Sequence, residues 1–319
     1  MLKELFRLLS LILFINPVNS QVNESNILFV GHAYGSHKIK DQSIDNKLLS
    51  FIDEQNTLLF EKIVFGGDMI QNCEDDVEIS NFIKVLNSNN VNFVIGNHDN
   101  CDKIIQLSKN LYSGLNTSEI IGDNLVLYIN TSINSDIEVD ELFAFISNEI
   151  IRTNPKNVII FSHQLFFSKS DFYVRVNSRK FYDYGNKLYD EIYNNFFAED
   201  IEIYFFSGDI GAYPYTPYAF YDRIENFSFY GVGLGNERNS KALLIEINND
   251  IKVNFIDINS SVIEPKENYL KYKVQLYQFP KLILSYLKSY SIYILAVIAF
   301  IVFFSLSRRG QVMHKPGKL

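Results

Sequence analysis

One local pattern recurs along the chain: a short, mostly β-branched or aromatic run that empties into a small residue and then a polar one. Ile27-Leu28-Phe29-Val30 runs into Gly31-His32-Ala33-Tyr34-Gly35, and Ile63-Val64-Phe65 into Gly66-Gly67-Asp68. Val91–Ile95 ends in Gly96-Asn97-His98-Asp99, Val158–Phe161 in Ser162-His163, and Ile203–Phe206 in Ser207-Gly208-Asp209-Ile210-Gly211. Runs this short and apolar read as buried strands. Leu125–Ile129 is a further run of the same kind. Helical periodicity falls between several of them, at Asp45–Glu54, Val77–Leu86, Lys103–Leu111 and Glu138–Arg152. The last puts Leu142, Phe145, Ile146 and Ile150 on one face. Such alternation predicts an α/β protein of stacked layers, β-sheets flanked by helices, with largely parallel strands. Beyond residue 225 the helical patterns stop. Phe227–Gly231, Ala242–Ile247 and Val253–Ile256 are expected as antiparallel strands.

Ligands in such sheets gather beyond the carboxyl ends of the strands. The chain has five histidines, and three of them, His32, His98 and His163, stand at these exits beside two Gly-Asp turns. Imidazole, carboxylate and amide oxygen bind metals and move protons, so the exits are the candidate site.

The order Gly67-Asp68, Gly96-Asn97-His98 and His163 resembles the calcineurin-like metallophosphoesterases, over roughly residues 26–258. That family's pattern runs Asp-x-His, Gly-Asp, Gly-Asn-His, His and Gly-His-x-His, each after a strand. The resemblance implies a layered metallophosphoesterase-like fold in which Asp68 bridges two divalent ions. Asn97 and His163 would bind one of them, and His98 would serve as general acid or oxyanion stabiliser. Asp99, next to it, would hold the imidazole and raise its basicity. Manganese, zinc or iron suits this donor set.

Two motifs depart from the pattern. His32-Ala33-Tyr34 stands for Asp-x-His, and Gly208-Asp209-Ile210-Gly211 for Gly-His-x-His. One ion would keep Asp68, Asn97 and His163, with Asp209 as fourth donor. The other would keep only Asp68 and His32, because the phenol of Tyr34 is a poor ligand at neutral pH. One strong metal site and a weak or absent second are therefore expected, with His37 as a stand-in suggested by proximity alone. The functional expectation is hydrolysis of a phosphate mono- or diester, including one linked to lipid or glycan. The alternative is a catalytically degenerate relative that binds without turnover, or a chance likeness in another α/β protein.

Cys73 and Cys101 follow two of these ligand loops. A disulfide between them is expected in an oxidising compartment; two free thiols or a thiolate ligand are the alternatives. After His163, Arg175 and Arg179 lie in a long insertion and suit bidentate contact with phosphate, or else an exposed amphipathic strand. The run Tyr213–Tyr221 either stacks on a sugar ring at the rim or, more plainly, packs its loop on the sheet.

The two ends set the compartment. Lys3 and Arg7, then Leu8–Ile15, then Val18-Asn19-Ser20 have the layout of a secretory signal at 1–20, or of a short anchor. Residues 21–262 form the expected domain and 263–288 a stalk, part of it helical. The uncharged stretch Tyr290–Leu306 is long enough for one membrane helix, at 289–307, and the basic residues in 308–319 favour a cytoplasmic tail. The main domain is then extracytoplasmic. Sequons occur at Asn23, Asn116, Asn130, Asn226 and Asn259. A net charge of −8 argues against a nucleic-acid partner.

Overall fold

The computed structural model describes residues 25–302, apart from 36–42, 56–59, 89, 166–176, 178–181, 198–199, 214–215, 236–239, 249, 292, 294 and 296. The expected signal segment, Asn23, His37, Arg175, Arg179 and the basic tail lie outside these residues, as does the end of the Tyr290–Leu306 stretch. Among the described residues no helix is long and apolar enough to cross a membrane.

The elements run β1 (Ser25–Gly31), α1 (Asn46–Gln55), β2 (Lys62–Gly66), α2 (Asp76–Ser88), β3 (Val91–Phe93), α3 (Asp102–Tyr112), β4 (Thr117–Ile121), β5 (Asn124–Tyr128) and α4 (Asp136–Thr153). They continue with β6 (Asn157–Ser162), α5 (Tyr182–Phe196), β7 (Glu202–Ser207), β8 (Ala219–Ile224), β9 (Phe227–Val232), β10 (Lys241–Ile247), β11 (Ile251–Asp257) and β12 (Ile263–Pro265). A 3-10 turn (Lys266–Tyr269) and α6 (Lys271–Ser289) follow. Two six-stranded sheets result, ordered β12-β11-β10-β1-β2-β3 and β4-β5-β6-β7-β9-β8.

Strand alternation divides the core into three packed zones. On β1, Ile27 and Phe29 join β10's Leu243 and Ile245 and β6's Ile159 and Phe161 between the two sheets. Their neighbours Leu28 and Val30 face the other way, onto Leu48 and Phe51 of α1, Phe82 of α2 and Ile104 of α3. Val158 and Ile160 likewise pack on α4 and α5. Helices therefore cover the outer face of each sheet, and both sheets are buried on two sides. Phe29 stacks on Phe161 with ring centroids 5.2 Å apart, which locks the sheets together at their centre. In α4 the side chain of Ser135 accepts from the Glu138 amide, and the Glu138 carboxylate accepts from the Asn134 amide. The helix ends at Asn154 in a left-handed conformation.

Both sheets are mixed, with the strands beyond residue 225 supplying antiparallel pairs as expected. β10 runs antiparallel to both β1 and β11. β9 pairs in parallel with β7 and antiparallel with β8. β3 is shorter than its apolar run because Val94 makes one more bond to the Phe65 carbonyl before the chain leaves the edge. Residues 263–265, expected to open a stalk, instead pair as β12 with β11. Even α6 begins docked on the domain, with Lys271 Nζ 2.8 Å from Asp222 Oδ2 and Val274 against the core beneath α4 and α5. The aromatic run packs: Phe220 and Tyr221 are buried on β8, while Tyr213 stays exposed. The Asn226 amide donates to the Phe196 and Ile201 carbonyls, so a glycan there would cost both bonds.

Lys241 joins three strands. Its Nζ lies 2.7 Å from Asp257 Oδ2 and 2.9 Å from Glu264 Oε1, and Lys241 is 7% and Asp257 9% exposed. Burial pushes Asp257 up, but Lys241 and the Asn259 and Ser260 amides more than reverse it and hold the carboxyl below its ordinary range. A depressed carboxylate contributes stability that is complete above its unfolded value of about 4 and is lost as pH falls through the lower folded value. Lys241→Met should therefore cost about 3–5 kcal/mol at pH 7 in urea unfolding. The loss should shrink below about pH 4.

Candidate functional site

The exits of β1, β2, β3, β6 and β7 meet, and glycine makes the approach possible. A Cβ on Gly31 would fall 2.3 Å from Gly208 Cα, and one on Gly208 only 2.1 Å from the Gly66 carbonyl oxygen. The two sheets thus touch backbone to backbone beneath the site. Gly67 has φ +84°, and a Cβ there would sit 2.4 Å from His163 Nδ1. His32 (φ 48°) and Asp68 (φ 54°) also adopt left-handed backbone, at about 1–3 kcal/mol each. Non-glycine residues in that region signal a local demand that overrides backbone preference.

Asp68 occupies the centre. Its Oδ1 accepts the His98 amide at 3.1 Å and lies 3.4 Å from His163 Nε2, while its Oδ2 lies 3.8 Å from His32 Nε2. His163 Nε2 also faces Asn97 Oδ1 at 3.2 Å and Asp209 Oδ1 at 3.7 Å. Asp68, His163, Asp209 and His32 are all buried, and Asn97 and His98 are exposed at the mouth. The structure therefore brings together Asp68, Asn97, His163, Asp209 and His32. Arg175 and Arg179 lie outside the described residues; Asn177 of the same insertion touches down here, its amide donating to the Asp209 carbonyl at 3.0 Å.

Carbonyl partners fix the histidine tautomers. His163 Nδ1 donates to the Gly66 carbonyl at 2.8 Å, and His32 Nδ1 donates to the Leu234 carbonyl at 3.2 Å. Each ring therefore turns Nε2 toward oxygens that only accept. Burial above all holds His32 down to about 4, so its Nε2 carries a bare lone pair at neutral pH. Burial alone would raise Asp68, but His163, His32, His98 and the His98 amide together keep it below the ordinary range. A nitrogen lone pair among an amide oxygen and two carboxylates is repulsive unless a cation, proton or metal, stands between them.

The donors are chemically suited to a divalent ion. Donors at about 2.0–2.1 Å from a tetrahedral zinc lie roughly 3.3–3.4 Å apart. Asn97 and Asp68 already stand at that spacing from His163, and Asp209 and His32 are wider. Among the described residues no group of three or more His, Cys, Asp and Glu side chains is arranged to hold a metal ion. The set here depends on an amide and would close by roughly a few tenths of an ångström around an ion.

Asp99 does different work from that expected. Its Oδ1 accepts from the Met69 and Ile70 amides at 2.9 and 3.1 Å, and its Oδ2 from the Gly96 amide at 3.1 Å. It ties the Asp68 loop to the Asn97 loop and does not meet the His98 ring. Burial, and then the charge of Asp68, push its carboxyl up to about 7 against the pull of those amides. The His98 ring is held elsewhere: Nδ1 donates to the Gln71 carbonyl at 3.0 Å, and Nε2 lies 3.3 Å from the Tyr34 hydroxyl. Burial and then Asp68 keep that phenol protonated, well above its usual range, so it is the donor. A disulfide joins Cys73 to Cys101, Cα atoms 6.2 Å apart, between the same two loops.

Glu78 was not legible in the sequence. Buried on α2, it accepts from the Gln71 and Asn72 amides at 2.7 and 3.0 Å and so braces the carbonyl that holds His98. Its only signal is acidity in a first helical turn. A surface hollow lined by Ile120, Asp123, Asn154, Lys156 and Asp200 sits at the opposite ends of β5, β6 and β7, away from these side chains.

A scan against models of protein families finds no match, and a search of the curated proteins finds none either. Fold and site define an α/β protein of two mixed sheets between helices, with a buried histidine–carboxylate cluster at its strand exits.

Asp99→Ala would leave three amides without their acceptor, at about 1–3 kcal/mol. Hydrogen exchange at Met69 and Ile70 should rise about tenfold or more while exchange at Phe161 stays slow.

Proposed function

We propose that this chain is a divergent calcineurin-like metallophosphoesterase: a metal-dependent hydrolase of phosphate mono- or diesters. The observation that carries this reading is the meeting of Asp68 Oδ1, Asn97 Oδ1 and Asp209 Oδ1 around His163 Nε2, at 3.2–3.7 Å. Motif order along the chain, a strand before each motif and two sheets sandwiched between helices support it. Those four residues would hold one manganese, zinc or iron ion. A bound divalent ion supplies Lewis acidity to a phosphoryl oxygen and lowers the pKa of water.

The rest falls to the chain's own groups. Asp68 and Asp209 neutralise the ion, and Asn97 at the mouth leaves one side open to solvent. His98 beside it handles the proton of the leaving oxygen. His32 on the far oxygen of Asp68 has too few companions for a second strong ion. Arg175 and Arg179 are the candidate phosphate contacts. A signal at 1–20 and a membrane helix at 289–307 would place the domain outside the cytoplasm, anchored at its C-terminus. The Cys73–Cys101 disulfide suits such a compartment. That setting favours a phosphate ester linked to lipid or glycan.

A second reading, binding without turnover, draws on the first motif, His32-Ala33-Tyr34, which holds no carboxylate. Metal analysis of the full chain, with hydrolysis of p-nitrophenyl and bis-p-nitrophenyl phosphate under added manganese or zinc, separates the two. The enzyme should carry one ion. His98→Ala should keep it and lose about 10²- to 10⁴-fold in kcat, whereas Asp68→Ala should lose the ion. An ion without turnover selects the binding module, and absence of any ion overturns both.

A further inference from the structure

His98 stands at the mouth of the site with both ring nitrogens engaged. Nδ1 is fixed as a donor by the Gln71 carbonyl at 3.0 Å, since a carbonyl only accepts. That leaves Nε2 as the ring's one variable atom, and among the described residues it meets one partner, the Tyr34 hydroxyl at 3.3 Å. The rings of Tyr34 and His98 stand edge to face, with centroids 5.2 Å apart. Tyr34 is 2% exposed and cannot swing away without opening the core. Its own ring packs at 4.3 Å on His32, and its backbone amide donates to the Asp68 carbonyl at 2.9 Å. Asp99, the neighbour in sequence, spends its oxygens on the Met69, Ile70 and Gly96 amides.

We propose that Tyr34 is a positioning residue: the Gln71 carbonyl fixes the Nδ1–H tautomer of His98, and the Tyr34 hydroxyl, donating to Nε2, fixes the orientation of the ring at the mouth of the site. The proposal rests on the phosphoesterase reading only for its consequence in turnover. The hydrogen bond and its effect on the imidazole belong to the folded chain itself. The Gln71 carbonyl, accepting from Nδ1–H, takes the part a carboxylate commonly takes for a catalytic imidazole, and the Tyr34 hydroxyl restrains the opposite nitrogen. Removing that hydroxyl leaves the Gln71 carbonyl as the sole restraint, and the ring is then free to turn about χ2.

The test is nitrogen-15 NMR of the full chain labelled at histidine, without added metal, in wild type and Tyr34→Phe. Wild type should show His98 as the Nδ1–H tautomer with Nε2 accepting a hydrogen bond. Tyr34→Phe should lose that Nε2 bond, read as a shift of the His98 Nε2 resonance toward that of an unbonded nitrogen, while His163 and His32 are unchanged. In hydrolysis assays Tyr34→Phe should lower kcat about 10- to 100-fold with KM and bound metal unchanged. A wild-type His98 that carries its proton on Nε2 while neutral overturns the proposal, even if no variant folds. So does a Tyr34→Phe spectrum identical to wild type at His98. A His98 Nε2 resonance that follows Tyr34 in a protein that hydrolyses neither ester upholds the positioning role and overturns the phosphoesterase reading instead.

Discussion

A buried aspartate with an imidazole facing each of its oxygens is the constraint that the remainder of the molecule serves. His163 Nε2 faces Asp68 Oδ1 and His32 Nε2 faces Oδ2, at 3.4 and 3.8 Å. Each ring's Nδ1 meets a main-chain carbonyl, so Nε2 is the atom turned toward the carboxylates. Such a cluster disfavours the folded state unless it is compensated, and the chain holds it in left-handed backbone at both His32 and Asp68. Strain concentrated at one point in an otherwise well-packed molecule is the mark of a functional site, and the proposed occupant of this one is a cation.

The means of holding the cluster are distributed over both sheets. The inter-sheet core, centred on Phe29 and Phe161, brings the two sets of strand exits into register. Gly31, Gly66 and Gly208 then remove every side chain that would keep them apart. Above that contact, the loops that carry Asp68 and Asn97 are tied three times. The Asp99 carboxylate, the Cys73–Cys101 disulfide and the His98 amide on Asp68 each span the same gap. Their redundancy explains how two short loops stay placed with one of them at the solvent-facing mouth.

Much of this was legible in the sequence, for a definite reason. Strand exits are marked by an abrupt change from β-branched to small and polar residues. Spatial convergence follows from the layer architecture, so Asp68, Asn97, His163 and Asp209 could be grouped without coordinates. What was not legible concerns direction. Asp99 follows His98 directly, yet on a tight loop its side chain points inward to three amides while the imidazole points outward. Tyr34 read only as a poor metal ligand, because nothing in sequence places its hydroxyl 64 residues away against His98. Glu78 looked like an ordinary acidic helix start. The parallel pairing of β9 with β7 was missed because its apolar pattern is the same whichever way its neighbour runs. The reach of the domain past 262 was missed because β12 is only three residues long.

The central claim is that a cation completes this cluster, and anomalous diffraction from crystals grown with manganese or zinc tests it most directly. The account predicts one peak within coordination distance, about 2.0–2.3 Å, of His163 Nε2 and of oxygens from Asp68, Asn97 and Asp209. A map with no peak there, and His163 doubly protonated between the two aspartates, would contradict it.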